Sequence, residues 1–232
     1  MADDYPNIAD HGLIGDLQTA ALVDTNGTLD WFCAPRFDSP SVFGSLLDAE
    51  RGGYCRVRPE TDDYVSRQLY LPNTAILVTR FMTEEGVGEL IDFMPVEEGE
   101  ATDRHRLVRM LRVVRGTMSF VAEVMPKFDY GRASHRIVPS DGMGAQFVSD
   151  DLTLTLHRVG DPVLHGGERA GHIELSGDGI RVTGSLNAGE MAGVMLETGG
   201  AEPTRIPLDV MNAMQLETTR FWRDWNNRST YA

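Results

Sequence analysis

An all-β fold is predicted: a large antiparallel β-sandwich of the super-sandwich type, followed by one C-terminal helix. Three observations lead there. Apolar and polar residues alternate with period two through most of the chain, as in Tyr54–Arg58 and Ile180–Leu186. Such runs recur about every eight to twelve residues between Gly- and Asp-bearing turns, the rhythm of a sandwich. From Pro207 to Asn227 the pattern changes: no glycine intervenes, and Leu208, Met211, Met214, Thr218, Phe221, Trp222 and Trp225 recur at helical spacing.

Each element has its own signal. Ala20–Val23 and Thr28–Cys33 flank Asn26-Gly27, a hairpin in which both turn positions favour positive φ. Val42–Asp48 is short enough to be one or two helical turns. Strands follow at Tyr54–Arg58, Tyr64–Leu71, Thr74–Thr83 and Val87–Met94, the last two joined by the tight turn Glu84-Glu85-Gly86. Glu97–Asp103 reads as an acidic linker. Leu107–Val114 and Met118–Met125 are two strands separated by Arg115-Gly116-Thr117. After a turn-rich stretch at Pro139–Gly144, strands are predicted at Ala145–Val148, Leu152–His157, Ile173–Leu175, Ile180–Leu186 and Met191–Leu196. No repeat of 20–50 residues is visible, which argues against a propeller. Pro207 suits a first helical turn, where its missing N–H is no loss.

Composition sets the limits. Leu, Ile, Val and Phe make up 57 of 232 residues, enough for a packed core. The longest apolar run is four residues, as in Ala75–Val78, so no transmembrane helix is expected. Met1-Ala2-Asp3-Asp4 lacks the basic and apolar regions of a signal peptide, and the cytoplasm is the expected compartment. The net charge of −14 would repel phosphate backbones; it argues against a nucleic-acid partner and suits a neutral ligand. Cys33 and Cys55 fit neither a disulfide framework nor a zinc pattern and read as buried thiols. His165 and His172 flank a Gly-rich loop without a ligand set, so neither metal nor cofactor is expected. Gly12–Asp16 lacks the context of a phosphate cradle, and no serine-hydrolase, P-loop or zincin motif occurs. Arg106, Arg109, Arg112 and Arg115 fall every third residue. On a strand they alternate between faces, giving surface ion pairs, with one arginine buried against a carboxylate as the alternative.

Asp30–Pro40 is the densest segment. It holds Trp31, Phe32 and Phe37, with Arg36 between Asp30 and Asp38, and Pro35 and Pro40 stiffen it. A stiff loop offering aromatic faces beside charged groups suits sugar binding. The alternative is a sandwich corner closed by an internal Arg36–Asp38 pair.

The runs Leu13–Asp16, Thr19–Val23, Gly27, Asp30-Trp31 and Pro35–Pro40 resemble the N-terminal domain of bacterial glycoside hydrolase family 15 proteins, the glucoamylase-like and trehalase-like enzymes. The likeness continues through Asp92–Pro95, Leu107–Arg109 and Phe128–Gly131. It ends on Thr219–Trp225, which looks like the helix leading into a catalytic barrel. The resemblance implies a non-catalytic sandwich over residues 1–203 and a linker helix over 204–232 leading to an (α/α)6 barrel outside this chain. Two glutamates of that barrel would hydrolyse an α-glucoside or trehalose with inversion. No residue of this chain inherits a catalytic role. Trp31 or Phe37 would offer a stacking face, with Arg36 held by Asp30 or Asp38. Phe221, Trp222 and Trp225 would pack against the barrel or, without it, fold back on the sandwich or against a second copy. A free-standing carbohydrate-binding module or a scaffold domain is the competing expectation.

Overall fold

The computed structural model describes residues 6–96, 102–160 and 172–228. After a 3-10 turn at Ile8–Asp10 come β1 (His11–Gly15), β2 (Ala20–Asp24), β3 (Thr28–Cys33), β4 (Ser41–Phe43), β5 (Tyr54–Pro59), β6 (Val65–Tyr70), β7 (Leu77–Met82) and β8 (Gly86–Phe93). The long strand β9 (Arg106–Met125) leads into a short helical turn, α1 (Phe128–Gly131). Then follow β10 (Arg136–Ser140), β11 (Gly144–Val148), β12 (Thr153–Val159), β13 (His172–Ser176), β14 (Gly179–Asn187), β15 (Met191–Thr198), β16 (Arg205–Ile206) and the helix α2 (Leu208–Asn227).

Two sheets face each other. One runs β1-β2-β3-β5-β9-β14-β13, the other β6-β7-β8-β9-β15-β12-β11-β10. All pairings are antiparallel except β16 alongside β12. The first half of β9 pairs β8 and β15, and the second half pairs β5 and β14, so one strand belongs to both sheets.

This corrects the expected break at Arg115-Gly116-Thr117. Gly116 is left-handed (φ 71°), and the register with β8 slips by one residue between Val87 and Gly88. The chain bends there and carries on instead of reversing, as a strand with an extra residue does. The Asn26-Gly27 hairpin is also differently built. Only Gly27 is left-handed, because Asp24 Oδ1 accepts the amides of Asn26 and Thr28 and shapes a three-residue loop. Ser41–Phe43 is not helical: it pairs with β3. β1 and β10 lie where no strand was expected. The Gly166–Gly171 loop, His165 and much of the acidic linker fall outside the described residues.

The main core lies between the sheets and includes Ile14, Phe32, Phe43, Phe81, Leu111, Phe120 and Phe147. A second apolar layer covers the outer face of the second sheet. There Ile76, Ile91, Val108, Met110 and Met195 meet Leu208, Met211 and Met214 of α2. The helical spacing of those three residues is what lays α2 along the sheet.

Candidate functional site

Period-two alternation turns Phe32 into the core and Trp31 outward. Beyond Cys33 the chain leaves the sheet through a cis Ala34–Pro35 peptide. The Ser39 amide donates to the Arg36 carbonyl (3.0 Å), and Ser39 Oγ accepts the Arg36 amide (3.1 Å), closing a turn. At its tip Arg36 Nε lies 3.2 Å from Asp38 Oδ1, with side chains 73% and 74% exposed. Phe37 is 64% exposed. An ion pair in such surroundings contributes about 0–1 kcal/mol, so it is not the internal bridge of the alternative reading. Nor does Asp30 hold Arg36: Asp30 is buried, and its Oδ2 receives His11 Nε2 at 2.7 Å.

Among the described residues no ring contact joins Trp31 to Phe37. Trp31 instead meets Tyr130 of α1, with centroids 6.3 Å apart and planes tilted by 44°. Asp129, Tyr130 and Gly131 are consecutive left-handed residues (φ 50°, 57° and 77°), a costly run for the two that carry side chains. Buried Phe128 anchors it, and Arg132 both pairs with Asp129 (2.7 Å) and lies over the Tyr130 ring (5.5 Å). Tyr130 was not singled out from sequence as a site residue. The signal was there, an aromatic residue directly before a glycine in Phe128-Asp129-Tyr130-Gly131.

Two imidazole–carboxylate pairs bracket β1. At its start, both ring nitrogens of His11 face acceptors, the Asn7 carbonyl (2.9 Å) and Asp30 Oδ2. Burial alone would lower the His11 pKa, but Asp30, the Asn7 carbonyl and the nearby Asp24 charge together outweigh it and the value is raised. Just beyond the strand, Asp16 Oδ2 meets His105 Nδ1 at 2.6 Å while its Oδ1 takes the amides of Gln18 and Thr19. Burial works against the Asp16 charge, yet these contacts hold its pKa low.

Arg109 is the buried arginine. It and Asp92 are wholly buried and joined by Nε–Oδ1 (2.8 Å) and Nη2–Oδ2 (3.1 Å). The guanidinium also donates to the Gly27 carbonyl (2.9 Å) and the Cys55 carbonyl, tying one sheet to the other. Arg106 and Arg112 point the other way, to Glu197 and Glu89. Cys33 and Cys55 are buried free thiols, with Cys33 pushed by burial up to about 11.

At the end of α2, Phe221 packs edge-on to Trp222 (5.4 Å) and stacks on Trp225 (6.0 Å). Phe221 and Trp222 are half-buried, and Trp225 is 48% exposed. The helix is folded back on the sandwich: Asn226 Nδ2 donates to the Asn73 carbonyl beside β7 (3.1 Å). Among the described residues no three His, Cys, Asp or Glu side chains gather as a metal site. No helix there is long and apolar enough to cross a membrane.

Fold and side chains together define a large antiparallel β-sandwich domain whose buried charges brace its sheets. Residues 1–160 match the family described as "Trehalase-like, N-terminal", and the chain belongs to that family. It is 30% identical to the trehalase of Thermoplasma volcanium over 98% of its own length, and 28% identical to that of Mycobacterium tuberculosis over a similar share. Over 58% of the chain it is 35% identical to the trehalase of Mycolicibacterium smegmatis. The chain spans only about 35% of the length of the first and second of these relatives.

Proposed function

We propose that this chain is the non-catalytic N-terminal sandwich of a glycoside hydrolase acting on trehalose or a related α-glucoside. In this reading residues 1–203 are the sandwich domain, and residues 204–232, whose first two-residue strand β16 still pairs with β12, lead toward a catalytic barrel that hydrolyses the bond with inversion. The match to trehalase-like N-terminal domains carries this reading, since the relatives named trehalase extend well beyond the matched region. The exposed tip Arg36-Phe37-Asp38 adds support for a contact role. Its ion pair does little for the sandwich, which leaves those side chains free to meet the barrel and wall its cleft. Trp31 with Tyr130, and Phe221, Trp222 and Trp225, are further candidates for interdomain contact.

The test is hydrolysis. The purified 232-residue chain is expected to release no glucose from trehalose or maltose, because the acid and base that glycosidic cleavage needs would lie outside it. A protein in which the chain is joined to a barrel is expected to be active. Turnover by the chain alone that disappears on replacing one of its own glutamates contradicts the proposal.

A further inference from the structure

A groove of about 600 Å³ opens at the Thr28 end of β3, the opposite end from the Arg36–Asp38 turn. The hairpin turn after β2, β5 and the Asp62–Tyr64 segment form its walls. The volume falls within the range of small-molecule sites.

Three features of the lining select a ligand. Asp24 is only 6% exposed. Its Oδ1 is saturated by the amides of Asn26 (2.8 Å) and Thr28 (2.7 Å), while Oδ2 has no hydrogen-bond partner among the described residues. Oδ2 is not among the buried, unpartnered oxygens, so it is reachable from the groove, and a carboxylate oxygen open in this way can accept an incoming donor. Tyr64 supplies a fixed aromatic wall, held edge-on against the buried Phe81 ring (5.3 Å, 89°). Arg56 and Arg58 bring donors, but their charges are already matched by Glu123 (2.6 Å) and Asp62 (2.8 Å). The surplus charge in the groove is therefore negative, which disfavours phosphates and other anions. A simple ammonium would use the acceptors and leave the guanidinium donors idle. Hydroxyl groups use both, and the carbon face of a sugar ring suits an aromatic wall.

We propose that this groove binds a neutral polyhydroxylated ligand of disaccharide size. Asp24 Oδ2 accepts a sugar hydroxyl, and Tyr64 lies against the ring. The site is separate from the Arg36–Asp38 loop and does not depend on a role for that loop at a catalytic cleft.

The experiment is a titration of the isotopically labelled chain with trehalose and with maltose, read by amide chemical shifts. Shifts are expected at Asn26, Thr28 and Tyr64. Asp24→Asn keeps an oxygen for the two turn amides but replaces the free acceptor with a donor; it should weaken binding about tenfold. Tyr64→Leu should weaken it comparably and stands in if Asp24→Asn fails to fold. Met143→Ala, in the exposed turn between β10 and β11 of the other sheet, should leave affinity unchanged. Absence of shifts at saturating sugar, shifts gathered instead at residues 36–38, or equal shifts from inorganic phosphate or spermidine would each overturn the proposal.

Discussion

Arg109 and Arg36 show how differently one residue type can act. Arg109 was legible as one of four arginines at three-residue spacing, and strand geometry already separated it from Arg106 and Arg112. Its partners were not legible, because the Gly27 and Cys55 carbonyls lie 82 and 54 residues away in sequence. Arg109→Met strands a buried Asp92 carboxylate and should cost roughly 3–5 kcal/mol in urea unfolding. Arg36→Ala should cost less than about 1 kcal/mol. In a protein carrying the catalytic barrel, however, it should raise KM or lower kcat; normal kinetics there would remove the loop from the functional surface. Two histidines set a pH optimum for stability. His11 binds as the imidazolium, so its contribution is complete below its ordinary value of 6.5 and is lost as pH rises through the higher folded value. His157 is held neutral: burial lowers its value, and its Nδ1 accepts the Thr204 amide, so stability falls as pH drops below 6.5. The melting temperature should therefore peak near pH 6.5, with His11→Asn flattening the alkaline side and His157→Asn the acid side. In stronger acid, loss of the Asp16, Glu89 and Glu197 charges destabilises further, partly offset by Asp24 and Asp30, whose values burial raises.

Among the elements, strands with clean alternation were readable to within a residue or two, as at Tyr54–Pro59 and Met191–Thr198. The misreadings share a physical origin. A glycine between two apolar runs signals either a reversal or a bend, and only the partner strand decides which. At Gly116 that partner is β8, whose preceding turn approaches so closely that a Cβ would collide with the Glu85 carbonyl. Gly116→Ala should thus destabilise by roughly 1–3 kcal/mol, as for a strained left-handed residue, visible as a lower urea midpoint. The helix α2 was legible from spacing alone, whereas its covering of a second apolar layer was not, since that layer is assembled from six strands, β7, β8, β9, β12, β15 and β16. Trp225 lies at the exposed end of α2. Trp225→Ser should leave the melting temperature nearly unchanged and abolish any dimer that light scattering detects in the parent chain. A monomeric parent would leave the barrel as the proposed cover for that ring.

For the molecule as a whole, the sandwich class and family resemblance were within reach of the sequence. The arrangement of the candidate surfaces was not, because it depends on which strand lies beside which. Ion pairs such as Arg104–Glu197 join residues 93 apart, and pairing over such separations makes folding slow relative to helical proteins of similar size. The central strand carries a consequence that concerns time rather than shape. Since β9 runs through both sheets, the two sheets are expected to open together. Amide hydrogens at Val108 in one sheet and Val121 in the other should exchange with heavy water at the same slow rate, set by global unfolding and shifted equally by urea. Distinct rates with different urea dependence would mean that the bend at Gly116 lets the halves fluctuate apart. A common rate would make the domain one cooperative unit, able to pass a disturbance at the Gly27 hairpin to the far end of β15 without melting either part alone.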